Sequence, residues 1–215
     1  MGSVNEQLID AVKTGDDAKV AALLLDPKCD ARSKNHKGET ALMLAAYVGH
    51  EACLQLLLPV SEPLAKDQRG RIALMLAAIN GQASCIQLLL PVSDALAKDN
   101  TGWTALMYAA SNGHEACLRL LLPVNDILAK DQWGRTALML AAEDGHDSCV
   151  RLLLSVSDAL SKNNENKTAT EVAKSHGHLQ LAMFIDAYAA SQSEKQALDS
   201  VTTEGIPQRR GFRRM

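Results

Sequence analysis

The amino-acid sequence predicts an all-α solenoid, a linear stack of short helix pairs, and three observations predict it. Residues 38–60 read GETALMLAAYVGHEACLQLLLPV, and the stretch returns as GRIALMLAAINGQASCIQLLLPV at 70–92, GWTALMYAASNGHEACLRLLLPV at 102–124 and GRTALMLAAEDGHDSCVRLLLSV at 134–156. Gly38, Gly70, Gly102 and Gly134 stand 32 residues apart, and a period in this range marks units that cannot bury an apolar face alone and must stack. Within each unit the apolar residues fall at helical spacing in two segments divided by a glycine-containing break, so each unit supplies two helices.

Each element follows from its residues. Thr104 precedes ALMYAA, where a hydroxyl can cap a helix start and Ala109 and Ala110 leave room for a neighbouring backbone. Ser111-Asn112-Gly113 breaks that helix. A second runs from His114 to Leu122, with Cys117, Leu120 and Leu121 on one face and Leu118 and Leu122 on another. Two apolar faces require two neighbours, and helices this short do not hold in water alone. The outer helix therefore packs on its own inner helix and on adjacent units. Pro91 ends the outer helix before the connector PVSDALAKD, where Val92 and Leu96, four residues apart, predict one helical turn that tucks both under the stack. Ile72 stands where the other units have a capping Thr, a loss of about 1 kcal/mol that predicts the second unit as the least well formed.

The pattern D-x-x-G-x-T-A-L, followed by A-A-x-x-G-H and L-L-L, resembles the ankyrin repeat, and it recurs in register. The resemblance implies stacked β-turn/helix-loop-helix units: four full repeats at residues 35–66, 67–98, 99–130 and 131–162. It also implies an N-terminal capping repeat over 1–34 and a C-terminal one over 163–188. The chain departs from the family where Ala-Leu-Met (Ala41-Leu42-Met43 in the first repeat) replaces Pro-Leu-His, where Ile72 replaces Thr, and in the glycine-free connector. Residues 189–215 lack periodic apolar spacing and carry Gly, Pro and a basic end, which predicts a disordered tail.

Composition narrows the function classes. With 47% hydrophobic and 22% charged residues the 215-residue chain can bury a core and remain in solution, and its formal net charge of -3 gives no general attraction to polyanions. The opening MGSVNEQLID has no apolar signal segment, and it departs from a myristoylation signal at Glu6. The reading is therefore a cytoplasmic chain, although a protein delivered into a host cell by another route would read the same way. Cys53, Cys85, Cys117 and Cys149 recur every 32 residues. At a helix-packing spacing of about 10 Å they are too far apart for a disulfide or a shared metal, and they read as buried apolar side chains. His50, His114, His146 and His178 each follow Gly at one repeat position, with Gln82 in the remaining one, and read as structural. No nucleophile–base pair, metal cluster or phosphate loop is present in the sequence pattern. The prediction is a non-enzymatic chain with no catalytic residues, no cofactor, no metal and no small-molecule substrate.

The letters that vary are the candidate site. Residues after the turn glycine read Glu39, Arg71, Trp103 and Arg135; those before it read Lys37, Arg69, Thr101 and Trp133. The pairs Tyr47-Val48, Ile79-Asn80, Ser111-Asn112 and Glu143-Asp144 vary too. The resemblance places all of these on the concave face, where partners bind. Trp and Arg dominate binding hot spots, so the protein-binding anchor is read as Arg69, Arg71, Trp103, Trp133 and Arg135, with Tyr47, Ile79, Asn112, Glu143 and Asp144 along the groove floor. The competing reading is that each Trp packs across a neighbouring turn, or that Arg stacks on Trp within the chain. The predicted function is a monomeric protein–protein interaction scaffold with a protein partner in its groove. The alternative is a regulatory or host-targeted effector whose basic end, Arg209, Arg210, Arg213 and Arg214, docks on nucleic acid or anionic membrane.

Overall fold

The structure is a computed structural model that describes residues 3–204, with side-chain burial described to residue 195. Among the described residues it contains α-helices and short 3-10 turns, and no strand. The helices come as six consecutive pairs. The first three are α1 (Val4–Thr14) with α2 (Asp17–Leu24), α3 (Ala41–Val48) with α4 (Glu51–Leu57), and α5 (Ala73–Ile79) with α6 (Ala83–Leu89). The next three are α7 (Ala105–Ser111) with α8 (Glu115–Leu121), α9 (Ala137–Glu143) with α10 (Asp147–Leu154), and α11 (Ala169–Ser175) with α12 (Leu179–Glu204). The first helix of each pair touches the first helix of the next, and the second touches the next second, which makes an inner row and an outer row.

The inner helices start where a threonine oxygen accepts the free N–H three residues on: Thr40 from Met43, Thr104 from Met107, Thr136 from Met139 and Thr168 from Glu171. Ile72 makes no such bond. Helix α5 nevertheless spans seven residues, as α7 and α9 do, so the second unit is not the less regular one expected from the lost cap. Ile72 is buried, and at about 0.8 kcal/mol per buried methylene the added hydrocarbon offsets a cap of about 1 kcal/mol.

The fixed glycines explain the fixed histidines. Gly113 has φ +72°, and a Cβ there would meet the His146 ring at 2.6 Å, so only glycine leaves room for the imidazole of the next unit. The ring Nε2–H of His146 donates to the carbonyl of Ser111 (2.9 Å), and that of His114 to the carbonyl of Ile79 (3.0 Å). Gln82 fills the same slot by donating from Nε2 to the carbonyl of Val48 (3.2 Å). The pairs that begin with α5, α7 and α9 are thereby each tied to the pair before. Gly177, in the last pair, has nothing within 4 Å of that position, since no further unit follows it among the described residues.

Cys53, Cys85, Cys117 and Cys149 are buried free thiols between the two rows. Burial pushes Cys85 and Cys117 up to about 11 and also raises Cys53 and Cys149. Cys29 is only partly buried.

Two expectations are corrected. The helical turn expected between Val92 and Leu96 does not form, since Ser93 is extended; Leu58–Val60, Leu90–Val92 and Leu122–Val124 are instead single 3-10 turns that end at the valine, because proline cannot donate to the preceding turn. Where Ser155 replaces it, α10 continues one residue further, to Leu154. Val92 and Leu96 are not tucked under the stack but 48% and 55% exposed. Secondly, α12 runs on to Glu204, so residues 189–204 are helical rather than disordered. Residues 205–215, with the rest of the predicted tail, lie outside the described residues.

Candidate protein-binding face

The turns that join one pair to the next are built on an acidic or amide residue that recurs at Asn35, Asp67, Asp99, Asp131 and Asn163. Its Oδ1 accepts two backbone N–H groups: at Asp131 from Trp133 (2.9 Å) and Arg135 (2.8 Å), at Asp99 from Thr101 (2.8 Å) and Trp103 (2.9 Å), at Asp67 from Arg69 (2.9 Å) and Arg71 (2.8 Å). Successive turns are bonded to each other, since the N–H groups of Asn100, Gln132 and Asn164 donate to the carbonyls of Arg69, Thr101 and Trp133. The variable residues on either side of each turn glycine are therefore carried on a continuous, hydrogen-bonded edge.

The second carboxylate oxygen decides which side chains stay free. Asp67 Oδ2 takes the Arg71 guanidinium (2.7 Å), and Asp131 Oδ2 takes Arg135 Nε (2.9 Å). Both carboxylates are buried, and the arginine side chains are 15% and 21% exposed. Arg71 and Arg135, read from sequence as anchors for a partner, are thus turned inward: each satisfies a carboxylate that would be costly to leave unpaired. Asp99 instead accepts the Tyr108 hydroxyl at 2.6 Å. Burial, followed by this bond to Asp99, raises Tyr108 above the ordinary phenol range, so the phenol remains a donor.

Arg135 also organises both tryptophans. Its guanidinium carbon lies 5.5 Å from the Trp103 ring centre and 4.8 Å from that of Trp133, within cation–π range of each. Trp103 further packs on Tyr108, with ring centres 4.9 Å apart. It is only partly exposed, and its Nε1 is buried without a hydrogen-bond partner among the described residues. Trp133 is 47% exposed. The reading of Arg stacked on Trp within the chain thus holds for Arg135, while the Trp133 indole still faces solvent. Glu143 completes the arrangement, bonding Arg135 Nη1 through Oε2 (3.0 Å), with its Oε1 3.6 Å from His176 Nε2.

Two clefts meet at this cluster. One, of about 500 Å³, is lined by Arg69, Asp99, Thr101, Trp103, Tyr108, Trp133 and Arg135 among others. The second, of about 400 Å³, lies between Trp133, Arg135, Glu143, Val172 and His176. Of the residues predicted from sequence, Arg69, Trp103, Trp133, Arg135 and Glu143 are brought together. Arg71, on the same turn as Arg69, lines neither cleft, although its charge acts on Tyr108. Tyr47, Ile79, Asn112 and Asp144 end their inner helices and line neither cleft. Tyr47 is 40% exposed, the Asn112 amide closes its own helix on the Tyr108 carbonyl (2.9 Å), and Asp144 accepts from Ser111 Oγ (2.7 Å). Ile79 lends its carbonyl to His114. Tyr108, Asp99 and His176 belong to the face and were not singled out from sequence. Tyr108 stands where the other units have Leu44, Leu76 and Leu140, so a hydroxyl at a leucine position was the available signal.

Among the described residues no group of three or more His, Cys, Asp or Glu side chains is placed to hold a metal ion, and no helix is long and apolar enough to cross a membrane. The basic run from Arg209 to Arg214 lies outside the described residues. A family model described as ankyrin repeats matches the chain in three copies, over residues 8–93, 59–131 and 124–190. No curated protein sequence matches it.

Proposed function

The chain belongs to the ankyrin-repeat family, whose members are in general protein–protein interaction modules, and from that premise we propose that it is a non-enzymatic scaffold that seats a protein partner on the face formed by its turns and inner helices. The observation that carries this reading is Trp133. A large indole, 47% exposed, is fixed over a paired arginine at the junction of two clefts. Side chains of this kind concentrate binding energy, because they offer a large contact area without further loss of conformational freedom. Arg69, exposed in the adjoining cleft, adds a cation whose guanidinium makes no ion pair among the described residues. A partner segment carrying an apolar side chain for Trp133 and a carboxylate for Arg69 fits this pair.

The test is a selection of peptides from a random library on the immobilised chain, followed by titration against the Trp133→Ala and Arg69→Ala variants. Hot-spot truncation costs about 2 kcal/mol or more, so binding should weaken at least about thirtyfold for Trp133→Ala. Backbone resonances of residues 99–103 and 131–135 should shift on binding. Peptides that bind both variants as tightly as the parent chain would place the recognition surface elsewhere.

A further inference from the structure

Each of four connectors presents a valine and a leucine to solvent: Val60 and Leu64, Val92 and Leu96, Val124 and Leu128, Val156 and Leu160, all between 42% and 62% exposed. They recur every 32 residues, so they form two rows along the stack with rungs about 10 Å apart, the spacing of packed helices. Two residues before each leucine is an exposed carboxylate (Glu62, Asp94, Asp126, Asp158), and two residues after it an exposed lysine (Lys66, Lys98, Lys130, Lys162). The leucine sits at the tip of a turn. Asp94 Oδ1 accepts the Leu96 N–H, Asp126 Oδ1 that of Leu128, and Asp158 Oδ1 that of Leu160, which puts the acid on the incoming side and the lysine on the outgoing side. The lysines are held in line, because Lys66 Nζ donates to the Lys98 carbonyl, Lys98 to that of Lys130, and Lys130 to that of Lys162. Each ammonium group has three N–H donors, so two remain for other contacts.

We propose that this ladder is the interface of a symmetric homodimer, in which a second copy of the chain lies face to face with the first and runs in the same direction. A two-fold axis running along the ladder, in the plane of contact, reverses the order acid, leucine, lysine into lysine, leucine, acid and keeps each rung opposite its counterpart. With the axis on the leucine row, the leucine rows face each other. Asp94 then meets the partner's Lys98, and Asp126 meets the partner's Lys130. The surface is self-complementary in both polarity and charge, as an isologous interface requires. An anionic membrane would instead be laid against the carboxylate row.

The apolar run is also bounded at both ends. At the N-terminal end the rung positions hold Lys28 and Arg32; at the other, Tyr188 and Gln192 of α12 wall off a cleft of about 480 Å³ with Leu128, Val156 and Leu160. Four apolar rungs remain, and the axis pairs each with its counterpart in the second copy. Eight roughly half-exposed aliphatic side chains amount to an apolar area on the order of 400 Å², the size at which an exposed patch is usually functional. With the flanking charged rows, the stripe approaches the roughly 800 Å² per partner of a specific interface.

Sedimentation equilibrium of the full chain tests the proposal. A monomer–dimer equilibrium is expected, with Leu96→Lys/Leu128→Lys weakening dimerisation at least about tenfold, since each introduces an unpaired charge at the centre. Asp94→Lys/Asp126→Lys and Lys98→Glu/Lys130→Glu should each weaken the homodimer similarly, and mixing the two variants should restore association as a heterodimer. Trp133→Ala should leave the equilibrium unchanged, so that failure here and failure of the groove reading are distinct results. A full chain that stays monomeric at several hundred micromolar overturns the proposal. So does a dimer that forms only after residues 205–215 are removed, which would mean that the chain's own end covers the ladder. A dimer indifferent to all three double substitutions would place its interface elsewhere and overturn the proposal equally.

Discussion

The turn face and the connector face of this molecule invert a common assumption about repeats. On the turn face the letters vary from unit to unit, yet Arg71, Arg135 and Trp103 are drawn into ion pairs and ring contacts within the chain. On the connector face the letters repeat, yet Val92, Leu96 and their equivalents stand in solvent. Repetition therefore does not identify the core, nor does variation identify the free surface. What decides is the direction that the local backbone gives each side chain. An inner-helix leucine points at the neighbouring helix, whereas a leucine at the tip of a connector turn points away from both rows. The cysteines repeat with the same 32-residue period as the connector leucines and have the opposite burial.

That contrast gives the largest expected effect. Burial pushes Cys85 and Cys117 up to about 11 from an ordinary 9.0, and since the thiolate is the reactive form, reaction near neutral pH falls about a hundredfold from the pKa alone. A Leu96→Cys substitution places a thiol of the same period in water. It should be labelled at least about a hundred times faster than Cys85 or Cys117 in the native state, and at the same rate once the chain is denatured, as mass spectrometry of the labelled peptides would show. The same shifts set a pH dependence. Unfolded thiols lose their protons near their ordinary value while the folded ones keep theirs, so the contribution is complete below about pH 9 and is lost as pH rises towards 11. Falling thermal stability over that interval, reduced in the Cys85→Ala variant, is the expected signature.

The next effect belongs to the turn face. Removing the Asp131 carboxylate strips the Trp133 and Arg135 backbone N–H groups of their acceptor and leaves the Arg135 guanidinium with Glu143 alone. Loss of one partner from a buried pair costs about 3 kcal/mol or more, so Asp131→Ala should lower the denaturant midpoint strongly. Asp131→Asn, which keeps the Oδ1 acceptor, should cost less. Equal losses would mean that the ion pair, not the turn bonds, holds this edge together.

Trp103 and Trp133 differ more modestly. Trp103→Ala removes a ring packed on Tyr108 and Arg135 and should cost roughly 2 kcal/mol, less than the full value for a buried tryptophan. Trp133→Ala should cost about 0.5 kcal/mol, as expected for a mostly exposed side chain that loses one cation–π contact. Fluorescence separates them in advance: the emission remaining in Trp103→Ala should be red and readily quenched, and that in Trp133→Ala bluer and protected. Reversed stabilities would move the exposed anchor from Trp133 to Trp103.

The fold was legible from the sequence because period, helical spacing and glycine breaks agree at every unit, and the tryptophans were legible because no core position demands them. Other features were hidden for physical reasons. Tyr108 occupies a leucine position, and only the distance to Asp99 shows that its hydroxyl has an acceptor. Arg135 could be seen as unusual but not as already paired, since pairing depends on where Asp131 Oδ2 points. The loss of a cap at Ile72 was visible, whereas the burial that offsets it was not. At Val92 and Leu96 the four-residue spacing was read as a buried helical face, but proline gives a tight 3-10 turn followed by a second turn, and that geometry turns both side chains outward.

The smallest expected effect is at those connectors, and it bears most directly on the contrast between the two faces. If Leu96 and Leu128 contribute nothing to the fold, replacing either with serine should change the unfolding free energy by no more than about 0.5 kcal/mol at protein concentrations too low for association. Replacing Leu121, repeated with the same period but fully buried in α8, with alanine should cost about 2–5 kcal/mol. The measurement is chemical denaturation of the three single variants at about one micromolar, with the slope of the transition checked for constancy, because a changed slope would mean that two-state behaviour has been lost. A loss above about 1.5 kcal/mol for Leu96→Ser under those conditions would show that the connector leucine is held by the stack after all. The repeated letters would then be packing residues throughout, and the distinction between the inward-facing and outward-facing members of each unit would disappear.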